Sequence, residues 1–433
     1  MHISKTTLDE MLSARERRAE KQRALTERFR QPVVCFTMNI PGEVKYTPLV
    51  EFAFLEGVRR IETAMPPAQH RELIREKTGC EAFFVFDLAA EETKRRMIAI
   101  EEEDAVARLF DIDVIGADGE KLSRARQRGC LVCGGPVTAC ARSRAHGLAE
   151  VEAAADRLLS TFAAQSLASS AYAALIAEVE ATPKPGLVDR NNNGAHRDMD
   201  LALFLRSAAA LRPYFARMAA SVLAGWENDP VQIMAQLRAE GIAAEQAMFA
   251  ATGGINTHKG AIFSMGLLIV GKALALRTGG DAVANAAALA QSDLAAELQR
   301  AEKRPETNGE HVYARYAARG ARGEAASGFP TACAAKAVYA AYLQAGKGWN
   351  DALALTLPHS MAALQDTNLL HRGGPEGLHF VQQSARAVLA LPETERIPAL
   401  LALDAELIKR NLSPGGSADI LSLAVLLHTF EAC

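Results

Sequence analysis

The sequence predicts two domains, the first of mixed α/β structure and the second almost wholly α-helical. Three observations carry this. At 433 residues the chain exceeds the size at which a single hydrophobic core keeps growing. Its N-terminal part interleaves apolar, strand-like runs with helical stretches, and from about Leu148 alanine-rich helical sequence continues to the end. The change of texture places the boundary between 146 and 168 and gives expected domains at 1–155 and 165–433.

Residues 8–29 read as a charged helix, and Val33–Ile40 (VVCFTMNI) as a buried strand ended by Pro41-Gly42. A helix around 48–60, a strand at Ala82–Phe86 and a strand at Ala107–Ile115 continue the alternation. Asp118-Gly119 then predicts a hairpin turn, with Lys121 on the returning limb. Beyond Leu148, the loop chemistry is concentrated in TPKPGLVDRNNNG (182–194), ATGGINTHKG (251–260), the stretch near 319–330, HRGGPEG (371–377) and NLSPGGSAD (411–419).

An apolar fraction of 49% with 23% charged residues excludes a disordered chain. A net charge of −3 excludes a general polyanion binder, so no nucleic-acid partner is expected. The N-terminus lacks the apolar segment of a signal peptide and no uninterrupted apolar run spans a bilayer, so the expected location is the cytoplasm, without a membrane partner. Seven cysteines, an odd and scattered set, do not form a disulfide framework. One local charge bias stands out: Lys121, Arg124, Arg126, Arg128, Arg142 and Arg144 with no intervening acid, either an anion-binding patch or a solvated loop.

Asp111-Ile112-Asp113 lies in the third strand, where residues two apart project to one face. Two carboxylates at one point suit Mg²⁺, which binds through one or two carboxylates plus substrate phosphates and stabilises in-line displacement at phosphorus. The domain is therefore read as nucleotidyltransferase-like. The plainer alternative is two solvated acids at a strand end. Cys130, Cys133, Cys140 and His146 form C-x₂-C-x₆-C-x₅-H, the ligand types of a Zn²⁺ site without a standard spacing. The spacing favours reduced cysteines near the domain end.

The phrase Val34–Gly42 (VCFTMNIPG), the strand Arg108–Ile115, Leu122-Ser123-Arg124 and the run from CLVC to His146 resemble holo-citrate lyase synthase. That resemblance covers nearly the whole N-terminal part. It implies transfer of a phosphoribosyl-dephospho-coenzyme A unit to a serine of the citrate lyase acyl carrier (gamma) subunit, with loss of pyrophosphate. It makes Asp111 and Asp113 catalytic Mg²⁺ ligands, and Arg124 is expected to clamp phosphate oxygens.

In the C-terminal part, Thr182–Arg190 (TPKPGLVDR) places Lys184, Asp189 and Arg190 on one rigid turn. Asp198 and Asp200 follow, suited to capping the next helix or to holding a metal. Thr252–Gly260 (TGGINTHKG) precedes an apolar helix and forms a phosphate cradle without Walker A spacing. Asp419 is expected to cap the last helix, with a contribution to the site as the alternative, and Asp366-Thr367-Asn368 is a polar island in apolar helices. TPKPGLVDRNNNGAHRDMD, TGGINTHKGAIF and NLSPGGSADIL, in that order, resemble triphosphoribosyl-dephospho-coenzyme A synthase from about residue 165 to the end. The resemblance implies that ATP is joined to dephospho-coenzyme A with loss of adenine, which breaks a C–N glycosidic bond and develops positive charge at the ribose. On that reading Asp189, Asp198 and Asp200 supply carboxylates or metal ligands, and Lys184, Arg190 and Lys259 hold phosphates. His196 and His258 handle the proton. Two alternatives remain at this level: the analogous enzyme pair for malonate decarboxylase, and a catalytically dead maturation factor that only binds the carrier.

Overall fold

A computed structural model describes residues 4–124, 128–225, 229–303 and 308–432. Arg126 of the basic run lies outside these residues. The chain divides into two compact units, one comprising the residues up to Ala163 with the segment Leu276–Gly279, the other Ala164–Ala275 and Gly280–Ala432.

The first unit is a four-stranded, wholly antiparallel sheet of order β2-β3-β1-β4 between helices. Helix α1 (Leu8–Phe29) starts in a capping box, Thr7 accepting from the Glu10 N–H while the Glu10 carboxylate takes the Thr7 N–H. Its Leu25 covers one sheet face against Val33, Cys35, Phe83, Val85 and Ile115. Strand β1 (Val33–Met38) is nearly sealed from solvent because its other face meets α2 (Pro48–Ala64), where Phe36 stacks on Phe54 with ring centroids 4.9 Å apart. Gly57 of α2 is what allows this approach: a Cβ there would stand 2.4 Å from the Phe36 ring.

Strands β2 (His70–Glu76) and β3 (Gly79–Val85) form a hairpin. The first of them is absent from the sequence reading because HRELIRE is a charged edge strand with too little apolar alternation to register. Helix α3 (Ala90–Glu101) follows, and β4 (Phe110–Ile115) begins three residues later than expected, since Val106–Leu109 forms a 3₁₀ turn started by Asp104 accepting from the Ala107 N–H. The expected hairpin after β4 reduces to the turn Gly116–Glu120 and one bridge between Ile115 and Lys121. The returning chain does not continue as a strand, because side chains take over the edge of β4. Lys94 donates to the Ile112 carbonyl at 3.1 Å, Glu101 accepts the Ile112 N–H at 2.8 Å, and Arg128 donates to the Phe110 carbonyl. Helices α4 (Val137–Ser143) and α5 (Leu148–Glu180) follow, the latter passing from one unit into the other.

Among its described residues, the regular elements of the second unit are all helices. Its elements are α6 (Leu201–Leu223), α7 (Pro230–Thr252), α8 (Lys259–Thr278), α9 (Ala282–Lys303), α10 (Asn308–Tyr316), α11 (Gly320–Ala326), α12 (Pro330–Gln344), α13 (Trp349–Ala363), α14 (Thr367–Ala390), α15 (Glu393–Lys409) and α16 (Gly415–Ala432). The core includes Leu353, Leu357, Val381, Leu400, Leu407 and Leu421. Helix α8 has the length and apolar composition of a membrane span, yet it packs as a core helix, with Leu267, Leu268 and Ile269 fully buried. Two expected loops are helical instead. The 319–330 stretch contains α11, and HRGGPEG lies within α14, interrupted only by a kink at Gly374 (φ 60°, ψ −163°). A positive φ is open to glycine at little cost, and Pro375 then restarts the helix.

Candidate active sites

In the first unit, the register pairs Thr37 with both Glu81 and Asp111, and Cys35 with Asp113. These side chains share the sheet face on which α1 lies. Asp111 and Asp113 thus project together, as strand periodicity requires. Burial raises the Asp111 carboxyl above its ordinary range and the neighbouring Asp113 raises it further. Lys121 answers part of this charge with an ion pair to Asp113 at 2.6 Å. Arg18 of α1 binds Glu81 through two nitrogens at 2.9 and 2.6 Å and also acts electrostatically on Asp111. Beside this row a cavity of about 220 Å³ is lined by Arg17, Arg18 and Lys21 of α1 and by Glu76 and Glu81 of the hairpin.

A close, incompletely neutralised carboxylate pair fits Mg²⁺ with a polyphosphate, whereas the cations of the cavity are paired, Arg17 with Glu76, Arg18 with Glu81 and Lys21 with Glu72. Arg124 stands elsewhere. Its guanidinium meets the buried Glu101 at 2.7 Å, and Arg128 meets the same carboxylate, so both arginines brace the edge of β4. The cations nearest the acidic pair are Lys121 and Arg18, and α1 contributed no site residue in the sequence reading.

In the second unit, the 181–200 segment is tied down by two aspartates. Asp189 accepts the Thr182 hydroxyl at 2.8 Å and the N–H groups of Lys184, Asn191 and Asn192. Asp404 of α15 accepts the Gly186 N–H at 2.8 Å and the Asn192 amide at 2.7 Å. Gly186 must be glycine: φ is +73°, and a Cβ would stand 2.4 Å from the Leu412 carbonyl oxygen. The loop therefore locks onto the 411–414 segment. His196 joins the same seam, Nε2 to Ser413 Oγ at 2.9 Å and Nδ1 to Arg372 at 3.1 Å. Burial, with Arg372 beside it, pushes the His196 imidazole down to about 4.

Behind this loop lies a group of buried ionisable side chains. Lys184, 1% exposed, is paired with Glu178 at the end of α5, 6% exposed. Burial raises Glu178, with Lys184 opposing the shift and Asp189 adding to it. Asp366 caps α14 through the Asn368 and Leu369 N–H groups, and its second oxygen accepts the Ser417 N–H at 2.9 Å. Burial raises Asp366 too. Asp419 sits one turn into α16 and caps nothing, contrary to expectation, because Asp366 occupies the start of that helix. Its carboxyl is raised well above the usual range by burial and by the charges of Glu178 and Asp366. Gly260, at the start of α8, borders it so closely that a Cβ would fall 2.1 Å from Asp419 Oδ2.

His258 belongs to the same group. Its Nδ1 meets Ser207 Oγ at 2.7 Å and its Nε2 is buried without a hydrogen-bond partner. Burial, with Lys184 nearby, pushes the imidazole down to about 3, so the ring is neutral at physiological pH. Lys259 carries its charge at the rim, 38% exposed and 2.7 Å from Glu245. Four carboxylates, Glu178, Asp189, Asp366 and Asp419, thus stand near one buried cation, Lys184; Glu178 is paired with it, and Asp189 and Asp366 are answered by N–H and hydroxyl donors.

Other predicted residues are placed apart from this group. Arg190 reaches Asn350 at 2.7 Å and lies over the Trp349 ring. Asp200 caps α6 through the Leu203 N–H at 2.7 Å, and Asp198 is exposed near His196 and Arg372. Asp200 is thus committed to its helix cap. Glu178 and Asp404 escaped the sequence reading because each is an acid within a helix with a second acid two residues on, Glu180 and Glu406, where solvation is the ordinary reading.

Comparison with known proteins now decides the family. Residues 164–433 match the family model of ATP:dephospho-CoA triphosphoribosyl transferase (CitG), and residues 6–162 that of apo-citrate lyase phosphoribosyl-dephospho-CoA transferase (CitX). The chain belongs to the CitXG family. "Protein CitXG" of Haemophilus influenzae is 36% identical over 99% of this chain and 97% of its own length. "Protein CitXG" of Leuconostoc mesenteroides is 31% identical over 97% and 96%. The 2-(5''-triphosphoribosyl)-3'-dephosphocoenzyme-A synthase of Pectobacterium atrosepticum is 46% identical over 59% of this chain and 86% of its own length. As a CitXG member the chain is a bifunctional transferase of citrate lyase maturation.

Proposed function

We propose that the two units catalyse consecutive transfers. The C-terminal unit, domain 165–433, joins ATP to 3'-dephospho-coenzyme A: the bond from the ATP ribose C1 to adenine breaks, a bond from that carbon to a ribose hydroxyl forms, and the hydroxyl proton is balanced by protonation of adenine. The N-terminal unit, domain 1–155, is nucleotidyltransferase-like in chemistry. There the serine hydroxyl of the acyl carrier, the gamma subunit of citrate lyase, attacks the α-phosphorus of the triphosphoribosyl product. Pyrophosphate leaves and the hydroxyl proton passes to a base. The observation that carries this reading is the occurrence of both transferase families on one chain.

In the C-terminal unit, Asp419 and Asp366 supply the negative field opposite the developing ribosyl cation, and Lys259 meets the triphosphate at the start of α8. His258 acts as a neutral donor. In the tautomer that accepts the Ser207 hydroxyl at Nδ1, the unpartnered Nε2 would carry the hydrogen and offer a hydrogen bond, not the proton itself, to the departing adenine. Lys184 neutralises Glu178 and keeps Asp189 in its loop-bracing position. In the N-terminal unit Asp111 and Asp113 would hold Mg²⁺, which when bound offsets phosphate charge. Lys121 flanks the leaving pyrophosphate from the Asp113 side. Both reactions are assigned to the cytoplasm, where ATP and dephospho-coenzyme A are available.

The test uses the full chain with ATP, dephospho-coenzyme A, Mg²⁺ and purified apo-carrier. Adenine release that requires dephospho-coenzyme A, followed by a mass gain on the carrier and stoichiometric pyrophosphate, is the expected result. ADP or AMP as the sole nucleotide product would overturn it.

A further inference from the structure

The segment that follows the β4 turn carries four side chains with no part in either transfer. Cys130, Cys133, Cys140 and His146 each direct a ligand atom to one point, and all four atoms lie within 4.8 Å of one another. Cys133 Sγ and Cys140 Sγ are 3.5 Å apart. A tetrahedral ion with Zn–S bonds of 2.3 Å separates its thiolates by about 3.8 Å, so the constellation needs only slight adjustment to close on an ion. A disulfide needs an S–S distance of about 2 Å, which the pair does not approach.

The backbone is arranged for the same purpose. Residues 129–136 form a tight loop in which Cys130 N–H donates to the Gly135 carbonyl at 2.7 Å and Gly134 N–H to the Cys130 carbonyl at 2.9 Å. Gly134 has φ +74°, and a Cβ on Gly129 would stand 2.7 Å from the Gly134 oxygen, so the turn depends on its glycines. Cys140 arrives on α4, and the chain turns at Arg144, in left-handed conformation with φ 50°, to bring His146 back. His146 Nε2 is buried and has no hydrogen-bond partner. An imidazole nitrogen withheld from water beside three sulfurs is costly unless it serves as a ligand.

We propose that Cys130, Cys133, Cys140 and His146 form a structural Zn²⁺ site of Cys₃His type. Its role is to fasten the basic segment to the sheet. The C-x₂-C turn is anchored by Arg108, which donates to the Cys130 carbonyl at 2.6 Å, and Arg124 and Arg128 of the same segment brace the β4 edge that carries Asp111 and Asp113. Four protein ligands leave no open position, so the ion holds structure and takes no substrate. Binding displaces the thiol protons, and its free energy adds to the folding of a segment that has no core of its own.

The test uses the full chain purified under reducing conditions from zinc-containing medium. Elemental analysis is expected to find one zinc per chain, and Co²⁺ added alone to chelator-treated protein should give the visible bands of a tetrahedral thiolate site. Cys133→Ser and His146→Ala should lower zinc content at least tenfold, while Cys333→Ser leaves it unchanged. Should those variants misfold, stepwise thiol modification of the wild-type chain, releasing zinc in proportion to three cysteines, gives the same information. Wild-type protein with less than a tenth of a zinc per chain and no cobalt spectrum overturns the proposal. So does a Cys133–Cys140 disulfide in protein kept anaerobic.

Discussion

Lys184 and Glu178 form an ion pair whose side chains are 1% and 6% exposed, the most enclosed pair of opposite charges among the described residues. A lysine in that position cannot be a surface phosphate ligand, as its place in TPKPG suggested. It neutralises a carboxylate inside a group that already has three others. Lys184→Met leaves Glu178 buried and unpaired, a change that costs roughly 3–5 kcal/mol. Glu178→Gln combined with Lys184→Met should recover most of the loss. Both tryptophans, Trp226 and Trp349, belong to the C-terminal part, so their fluorescence in urea follows that unit alone. A loss below about 1 kcal/mol for the single variant contradicts the buried pair.

Asp111→Asn separates the two activities. It removes one of two carboxylates that repel each other on β4, so the N-terminal unit should be no less stable. Carrier modification, followed by mass spectrometry, should fall on the order of a hundredfold or more. Adenine release, followed by chromatography, should be unchanged, since the buried carboxylates of the other unit supply that site. Equal losses in both assays would mean one shared site.

His258 gives a pH signature of stability. Its pKa in the folded chain is about 3, below the 6.5 of the exposed imidazole, so the unfolded chain binds the proton more readily. The contribution is complete above pH 6.5 and declines as pH falls toward 3. His258→Gln lacks this dependence. The stability difference between wild type and variant should therefore shrink across that window, by an amount on the order of 4 kcal/mol. A difference that is flat between pH 7 and pH 4 would show that the imidazole is not buried neutral.

What the sequence disclosed and what it withheld follow from the range of its signals. Period and turn chemistry are local, so α1, β1, the helix after Thr47 and the loops holding Asp189 and His258 were legible. β2 was not, because an edge strand of alternating charge has no apolar face to announce it. Nor was the use of Asp366, whose two oxygens join helices α14 and α16, 51 residues apart in sequence at Ser417. The polar island around Asp366 was visible, but its partner is chosen by packing. Arg124 shows the converse: a cation beside a predicted acidic pair looked like a phosphate clamp, and its actual partner, Glu101, is a helical acid with no sequence mark. Burial, which decides these roles, is a property of the whole unit.

Asp419 carries the strongest expectation about the C-terminal site. Its carboxylate is disfavoured by burial and by the nearby charges of Glu178 and Asp366, so the folded unit holds a charge that the unfolded chain would hold more easily. Because the folded pKa lies above the unfolded one, the penalty is full at pH values above the folded pKa and fades as pH falls through it. Asp419→Asn should therefore stabilise the unit at neutral pH by roughly 1–3 kcal/mol, and the advantage should fade on acidification. The same variant should lower adenine release on the order of a hundredfold, because the field opposite the ribosyl cation weakens. Mg²⁺ adds a second readout. If the buried acids hold it, Mg²⁺ with ATP should raise the melting temperature of the wild type and raise that of Asp419→Asn less. A variant that is both less stable at neutral pH and fully active would remove Asp419 from the site and leave its burial without a functional reason.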